Sequence, residues 1–435
     1  MKLRAAILIL SNTGFLDAWF PSLRPIRSFS QLREATSVDN KPYLNPLIDS
    51  IQPSKTVEIF SQVKDMEANG IQVTSLCVGE PDFLPAPAVL DALAEAVKAG
   101  DTRYTAVTGT LALRKAIAAD LQRRKGVKYN PANEIVVGNG AKQSVYQALL
   151  ATSGVGDSVI IPAPYWPSYP EMVSLAGSTS VIVETKAETG YLMTAEQLRK
   201  ALNENPTTKL IILCNPSNPT GGVYSKEQLA ELCDVLQDYP QVKVLADEIY
   251  ERLVYDIDEC PSVASMPGMF SRTMTVNGFS KAHAMTGLRL GYVAAPAPIA
   301  RAITTIQSQL TSCASSLSQA GGVAALEKVS DEEIESNVQL LKQKRDYVLA
   351  ELSTMPGVKV AVPPQGAFYV LPDFSYYGDD DTQLCLDLLQ EQKLALVPGS
   401  SFGAPGTIRI SYATSLEELA VAMTKLRTFL EVRQK

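Results

Sequence analysis

The chain of 435 residues contains a single histidine, His283. A Ser-His-Asp triad or a histidine-based metal site would have to use that one residue, so the sequence argues against both kinds of site. The six cysteines are scattered and form no Cys-x-x-Cys pair, which excludes the common zinc-cysteine layouts and suits a reducing compartment. We therefore expect no metal, and chemistry that rests on Lys, Asp, Tyr, Arg and Asn or on a cofactor.

The sequence also lacks a basic block and a long apolar run. Its formal net charge is −7, and an acidic protein without clustered Lys and Arg is a poor candidate for binding nucleic acid. The apolar run at residues 5–10 is far too short to span a membrane. We therefore expect small-molecule substrates, no nucleic-acid partner and no membrane segment in the mature protein.

Residues 1–44 differ in composition from the rest of the chain. The first 33 residues hold five basic side chains against one acid, Asp17, and residues 19–33 contain no acid. This composition predicts a cleaved targeting presequence at 1–44, with a signal-like part followed by a transit-like part; a loosely packed arm is the alternative. The junction at Ala18 and Trp19 resembles the signal/transit boundary in algae with complex plastids. We therefore expect the plastid (chloroplast) stroma, with mitochondrion or cytoplasm as alternatives.

From about residue 45 onward the pattern is globular. Apolar runs that end in Gly, Asn, Asp or Pro alternate with amphipathic stretches such as 226–236, which predicts an α/β domain with a mostly parallel sheet. The predicted buried strands are 135–137, 158–161, 210–213, 242–245 and 273–276. Capping boxes open two later helices, one with Ser330 and Glu333 and one with Ser415 and Glu418.

A lysine and a carboxylate follow two of these strands. Lys281 comes after an apolar strand, and a lysine desolvated at a strand end has a depressed pKa, which suits Schiff-base chemistry. Asp247 ends another strand, where ligands bind in open α/β sheets, and a carboxylate there can pair with a protonated pyridine nitrogen. Tyr250 could then reach the phenolic oxygen of the ring. Taken alone, Asp247 is more simply interpreted as a helix cap.

Two further segments carry groups that suit the same ring and its phosphate. Two Asn-Pro steps stiffen the loop at 215–221, which can hold Asn218 as a donor to a ring oxygen. The glycine turn at Gly140 precedes a helix whose first backbone N–H groups can bind an anion, and Arg289 can clamp a phosphate.

Aromatic residues follow the strand at 158–161. Trp166 can stack on a flat ring, although a core or interface aromatic is the alternative, and that alternative is favoured for Tyr165 and Tyr169. Each of the five segments is ambiguous alone. Together they supply different parts of one environment, which is that of pyridoxal 5′-phosphate (PLP).

These residues carry a resemblance to a known family. From about Thr56 to Arg427 the chain resembles class I PLP-dependent aminotransferases of fold type I, and within them the aspartate/prephenate aminotransferase subgroup. The strings that match are Pro53-Ser-Lys-Thr-Val, Val78-Gly-Glu-Pro-Asp-Phe, Gly140-Ala-Lys-Gln, Pro164-Tyr-Trp, Asn215-Pro-Ser-Asn-Pro-Thr-Gly, Asp247-Glu-Ile-Tyr, Ser280-Lys, Pro364-Gln-Gly-Ala-Phe-Tyr and Ile408-Arg-Ile-Ser-Tyr-Ala. The family commonly has Trp at position 288 and Phe at position 283, where this chain has Leu288 and His283.

The resemblance implies a role for each site residue. Lys281 would be the Schiff-base lysine and the catalytic proton carrier. The other cofactor-binding residues would be Asp247 at the pyridine nitrogen, Asn218 and Tyr250 at the ring hydroxyl, Trp166 on the ring face, Ser280, Arg289, Ala141 and Lys142 at the phosphate, and Tyr104 at the phosphate of the neighbouring subunit. The substrate-binding residues would be Arg409 at the α-carboxylate, with Gly79, Trp166, Asn218, Lys142 and Thr56.

The resemblance also implies an architecture and an activity. The fold would be a large PLP domain at 85–324 with a mostly parallel mixed sheet, and a smaller α+β domain built from 45–84 and 325–435, in a homodimer. The activity would be transamination of dicarboxylic amino acids and keto acids, as a bifunctional aspartate aminotransferase and glutamate/aspartate-prephenate aminotransferase that forms arogenate. An aminotransferase for alanine or aromatic amino acids, or a PLP lyase of the same fold, is the alternative.

Overall fold

The computed structural model describes residues 45, 48, 51–53 and 55–433. The predicted presequence at 1–44 lies outside these described residues. The described residues from Ile51 to Arg433 belong to one compact unit. None of the helices in this part of the chain is both long and apolar enough to cross a membrane.

The described elements alternate between helices and strands. The α-helices are α1 Lys55–Ala68, α2 Pro87–Ala99, α3 Leu111–Lys125, α4 Ala141–Thr152, α5 Ser168–Leu175, α6 Ala195–Glu204, α7 Lys226–Gln237, α8 Ala297–Leu310, α9 Ser316–Glu327, α10 Asp331–Ser353, α11 Asp381–Asp387 and α12 Leu416–Glu431. The strands are β1 Thr74–Ser75, β2 Ile135–Gly138, β3 Ser158–Ala163, β4 Thr179–Glu184, β5 Thr208–Cys214, β6 Lys243–Asp247, β7 Thr273–Gly278, β8 Gly291–Ala294, β9 Tyr369–Val370, β10 Leu394–Ala395, β11 Val397–Pro398 and β12 Ile408–Ser411.

A seven-stranded mixed sheet forms the larger part of the fold. Its order is β2-β8-β7-β6-β5-β3-β4. The strands from β7 to β4 are parallel, whereas β8 runs antiparallel to both of its neighbours. The predicted fold class is therefore confirmed, and so are the five predicted strands, each within two residues at its ends.

The central strands are apolar along their whole length because the sheet is covered on both faces. In β5, Leu210 and Ile212 belong to one buried cluster, while Ile211 and Leu213 belong to another. Successive side chains of a strand point to opposite faces, so the two clusters lie on the two sides of the sheet. Such strands carry near-continuous runs of Val, Ile and Leu. The parallel strands consequently end together at one edge, where the site is built.

The smaller part of the fold joins segments from both ends of the described chain. β1 pairs in parallel with β10, and β9, β11 and β12 form a three-stranded antiparallel sheet. Leu76, next to β1, packs in one buried cluster with side chains of α10 and α12. The smaller part therefore contains both helices and strands, as the predicted α+β class requires. The domain boundaries at 84/85 and 324/325 stay predictions.

The helix starts follow the sequence with one correction. Ser330 and Glu333 form the predicted capping box at the start of α10, and the side chains of Ile334 and Val338 are buried. At α12, the Ser415 hydroxyl accepts a hydrogen bond from the Glu418 backbone N–H. The hydrogen bonds of the described residues include no return bond from the Glu418 side chain, so the second capping box is only half formed.

Candidate active site

The site is a cavity of about 320 Å³ at the carboxyl ends of the parallel strands. Twelve of the thirteen predicted site residues line it, and Tyr104 does not. The twelve are Thr56, Gly79, Ala141, Lys142, Trp166, Asn218, Asp247, Tyr250, Ser280, Lys281, Arg289 and Arg409. Chain positions more than 350 residues apart therefore meet here because α1, the β1–α2 segment and β12 all reach the edge of the large sheet.

Lys281 lies three residues beyond the end of β7. Its ammonium donates to the carbonyl oxygen of Gly79 and lies 5.7 Å from the Tyr250 ring centre and 5.6 Å from that of Phe368. Burial and the nearby charge of Arg409 lower the pKa of Lys281 to about 8. A lysine of this kind releases its proton near neutral pH, which a nucleophilic amine and proton carrier requires.

Asp247 is a buried carboxylate at the last position of β6. Its Oδ2 accepts a hydrogen bond from the Tyr169 hydroxyl at 2.6 Å, and its Oδ1 accepts from the backbone N–H of Ile249 at 3.3 Å. Burial raises the pKa of Asp247, while the bond from Tyr169 and the charge of Lys281 act in the opposite direction. The helix-cap alternative is wrong, because a turn follows Asp247 rather than a helix.

A cradle for an anion lies where α4 begins. Gly140 has φ +87°, and a Cβ placed there would lie 2.4 Å from Nη2 of Arg289, so only glycine lets the guanidinium approach the turn so closely. Nη1 of Arg289 donates to the Thr286 carbonyl oxygen at 2.8 Å. Hydrogen-bond donors available here are the backbone N–H groups at the start of α4, the hydroxyl of Ser280 and this guanidinium. A phosphate group accepts hydrogen bonds from donors of these kinds.

Arg409 is the second buried cation of the cavity. Its Nη1 donates to Oδ1 of Asn218 at 3.1 Å, and its Nη2 donates to the carbonyl oxygen of Cys77 at 2.6 Å. Its Nε is buried without a partner among the described residues. A planar guanidinium with an unused donor is suited to a carboxylate.

Lys142 and Trp166 form one wall of the cavity. The ammonium of Lys142 lies 5.2 Å from the Trp166 ring centre, and burial together with the charge of Arg289 lowers the pKa of Lys142. Lys142 also lines the adjoining groove. Its exposed side chain therefore borders both the cavity and the groove beside it.

Known protein families provide a comparison that is independent of this geometry. The family model described as "Aminotransferase class I and II" matches residues 71–426. The chain belongs to this aminotransferase family.

Its relatives and structural neighbours agree with that membership. A Petunia hybrida protein named bifunctional aspartate aminotransferase and glutamate/aspartate-prephenate aminotransferase is 44% identical over 400 residues, which cover 89% of this chain and 82% of the relative. An aspartate/prephenate aminotransferase from Cereibacter sphaeroides is 42% identical, with 89% and 98% covered. The crystal structure of the aspartate aminotransferase from Rhizobium meliloti matches with a TM-score of 0.86 at 37% identity, with 91% and 100% covered.

This aminotransferase is a PLP-dependent enzyme, and the residues present fit the cofactor. Asp247 is a buried carboxylate with two hydrogen-bond donors and no Lys or Arg salt-bridge partner among the described residues, and a protonated pyridine nitrogen supplies the missing cation. The cradle at Gly140 and Arg289 suits the phosphate. When bound, the cofactor supplies an electron sink that withdraws charge from the substrate Cα.

Sequence reasoning missed two tyrosines of this aminotransferase. The sequence favours a core or interface role for Tyr169; the residue is buried, but its hydroxyl also donates to the Asp247 carboxylate. Tyr369 was not assigned a role, yet its hydroxyl lies 2.9 Å from that of Tyr250. Local sequence gives no signal for either hydroxyl contact, because the partners lie 78 and 119 residues away in the chain. Glu80, Thr286 and Cys214 also line the cavity without having been predicted.

Tyr104 is 89% exposed and lies outside the cavity lining. Within one chain it therefore has no part in the site. Its predicted contact with the cofactor phosphate of a neighbouring subunit stays a prediction.

Proposed function

We propose that this aminotransferase transfers amino groups between dicarboxylic amino acids and keto acids. It would act as an aspartate aminotransferase and as a glutamate/aspartate-prephenate aminotransferase that forms arogenate in amino-acid biosynthesis. Both activities are named for its relative from Petunia, and the aspartate/prephenate activity for that from Cereibacter. The observation that carries the proposal is the presence of two cationic side chains, Arg409 and Lys142, on the wall of one cavity.

The residues divide the work of transamination between them. Arg409 binds the substrate α-carboxylate through its free Nε–H and the adjacent N–H groups, which orients the Cα–H bond. Lys281 would hold PLP through its amine, and as a free amine it would move the proton at the substrate Cα. Asp247 would hold the pyridine nitrogen in its charged form, and Trp166 would cover the ring face.

Lys142 distinguishes dicarboxylates from other substrates. Its ammonium has no carboxylate partner among the described salt bridges, and it borders both the cavity and the groove beside it. We assign it to the distal carboxylate of the substrate, with Thr56 beside it. A charge-assisted hydrogen bond of this type contributes about 1.5–3 kcal/mol.

A substrate panel tests this assignment. Lys142→Ala should lower kcat/KM about 10- to 100-fold for aspartate, glutamate and prephenate, and should spare alanine. Lys142→Arg keeps the charge and serves as the control, which should retain most of the preference for dicarboxylates. Equal losses for aspartate and alanine would mean that Lys142 acts on the cofactor, and the dicarboxylate assignment would be abandoned.

The same panel separates the alternatives. An aminotransferase specific for alanine or aromatic amino acids would prefer those donors in the unaltered enzyme. A PLP lyase would release product from one substrate without a keto-acid acceptor. The proposed enzyme needs both partners, and its cofactor absorbance should change on adding aspartate alone.

The proposal includes a homodimer and a plastid location. The exposed tyrosine Tyr104 supports the dimer, because a large aromatic side chain with 89% exposure gains from burial against a second copy. The basic, acid-poor composition of residues 19–33 supports import into the plastid stroma. A reporter fused to residues 1–44 should enter plastids, and a reporter that stays in the cytosol would exclude this location.

A further inference from the structure

Tyr369 contacts three parts of the active site at once. Its hydroxyl lies 2.9 Å from the Tyr250 hydroxyl. Its ring centre lies 4.5 Å from Cζ of Arg409. A Cβ on Gly79 would lie 2.1 Å from the Tyr369 hydroxyl, so the backbone of Gly79 packs directly against that oxygen. Tyr369 is fully buried and comes from β9, outside the large sheet.

The ring and the hydroxyl of Tyr369 face different functional groups. Phe402 lies on the guanidinium of Arg409 as well, 4.8 Å from its Cζ, so two aromatic rings pack against Arg409. Aromatic faces attract a guanidinium and restrict its rotation. The hydroxyl meets Tyr250, the residue assigned to the ring oxygen of the cofactor.

We propose that Tyr369 is a positioning residue with two separable functions: its ring orients Arg409 for the substrate carboxylate, and its hydroxyl orients Tyr250 toward the cofactor. The inference rests on the assignments of Arg409 and Tyr250 above and does not depend on which amino donor the enzyme prefers.

The direction of the second hydrogen bond follows from the first. Burial raises the pKa of both Tyr250 and Tyr369, so both hydroxyls are protonated at neutral pH. When Tyr250 donates its proton to the ring oxygen of the cofactor, its own oxygen accepts from Tyr369. A donor chain of this kind strengthens the bond at its end. Tyr369 therefore stabilises the anionic form of that ring oxygen through Tyr250.

Two substitutions at one position separate the two functions. Tyr369→Phe keeps the ring and removes the hydroxyl. In the PLP-loaded enzyme it should raise the pH midpoint of the cofactor's visible absorbance by about 0.3–1 unit, because the ring-oxygen anion loses part of its support. The Kd of succinate, a non-reacting dicarboxylate, should stay within about twofold because Arg409 is still held.

Tyr369→Leu removes the ring as well. It should raise the succinate Kd about tenfold in addition to shifting the absorbance midpoint. Propionate has a single carboxylate, which would bind Arg409 alone, so its Kd should rise by the same factor. Tyr369→Met, which lacks an aromatic face and fills irregular space, replaces Tyr369→Leu if that variant does not fold.

Phe402→Leu is the matched control, because Phe402 touches Arg409 but makes no hydrogen bond to Tyr250. It should raise the Kd of succinate about as much as Tyr369→Leu does and leave the pH midpoint of the absorbance unchanged. An unchanged midpoint in Tyr369→Phe would overturn the hydroxyl function. A loss of succinate binding in Tyr369→Phe as large as that in Tyr369→Leu would overturn the separation of the two functions. A failed substrate panel would leave both readouts intact, so the two proposals fail independently.

Discussion

Burial and the Tyr169 hydroxyl act in opposite directions on the charge of Asp247. Burial favours the neutral acid, whereas the Tyr169 hydroxyl, 2.6 Å away, stabilises the carboxylate. Burial and the charge of Asp247 also raise the pKa of Tyr169 well above its usual range, so Tyr169 stays a donor at every pH at which the enzyme works. A neutral Asp247 would not hold the pyridine nitrogen in its charged form.

Tyr169→Phe should lower kcat/KM about tenfold at neutral pH, because a hydrogen bond to a charged group contributes about 1.5–3 kcal/mol and only part of it is specific to the transition state. The sign of the pH effect follows from the same bond. Without Tyr169 the pKa of Asp247 rises further, so the carboxylate is protonated at a higher pH. The acidic limb of the kcat/KM profile should therefore move toward neutral pH, as measured with aspartate as donor.

Tyr165→Phe is the control for that prediction. Tyr165 precedes α5, the helix that contains Tyr169. It lines a neighbouring cavity but not the catalytic one. Its pH profile should match that of the unaltered enzyme. If the acidic limb of Tyr169→Phe also stays in place, the hydroxyl of Tyr169 has no influence on Asp247.

At the scale of single residues, the sequence predicts a role in the site where the preceding residues in the chain indicate the location of the side chain. Lys281, Asp247 and Asn218 stand at strand ends, where chain position alone indicates a ligand-facing location. Tyr169 and Tyr369 could not be predicted in the same way, because their hydroxyl partners are 78 and 119 residues away. Only the tertiary structure shows that Tyr169 meets the Asp247 carboxylate and that Tyr369 meets the Tyr250 hydroxyl.

Among the elements, α10 depends most visibly on its first turn. It is 23 residues long, and its capping box combines the Ser330 hydroxyl with the Glu333 carboxylate. Asp331 in the same turn forms ion pairs with Arg123 of α3 and with Arg252 beyond β6. The start of α10 is thus a junction between the smaller part of the fold and the large sheet.

Ser330→Ala should lower the free energy of unfolding by about 1 kcal/mol, because the backbone N–H of Glu333 loses its acceptor. Urea unfolding of the PLP-loaded enzyme measures this as a lower midpoint. Ser336→Ala, in the exposed interior of the same helix, is the control and should be neutral or slightly stabilising because Ala has the higher helix propensity. A midpoint for Ser330→Ala equal to that for Ser336→Ala would show that the box does not stabilise α10.

The elements themselves were predictable where their pattern is simple. Buried parallel strands and capped helices have local patterns, and the structure places them within a few residues of the predicted positions. The strand order β2-β8-β7-β6-β5-β3-β4 has no such local pattern. It depends on which crossovers pack best, and that follows from contacts among the helices and not from any one segment. The half-formed box at α12 shows the same limit, since Ser415 and Glu418 have the right spacing but only one of the two bonds forms.

On the scale of the whole molecule, one chain supplies a nearly complete site. The described chain brings together a lysine, a carboxylate, an anion cradle and the cationic side chains of Arg409 and Lys142. The exception is Tyr104, which lies outside the cavity lining and is largely exposed. A dimer in which Tyr104 of the partner subunit reaches the phosphate cradle would account for both the exposure and the predicted role.

Mixed dimers test that arrangement directly. Tyr104→Ala and Lys281→Ala should each be nearly inactive as pure proteins, the first by weak cofactor binding and the second by loss of the amine that moves the proton. After unfolding and joint refolding, a hybrid holds one site with both defects and one site with neither, because each site would take Lys281 from one chain and Tyr104 from the other. Activity should therefore return to about a quarter of that of the unaltered enzyme, since half of the dimers formed at random are hybrids and each hybrid has one intact site. Differently tagged chains, purified on both tags, establish that subunits have exchanged. Purified hybrids without regained activity would mean that Tyr104 serves its own chain or no site at all.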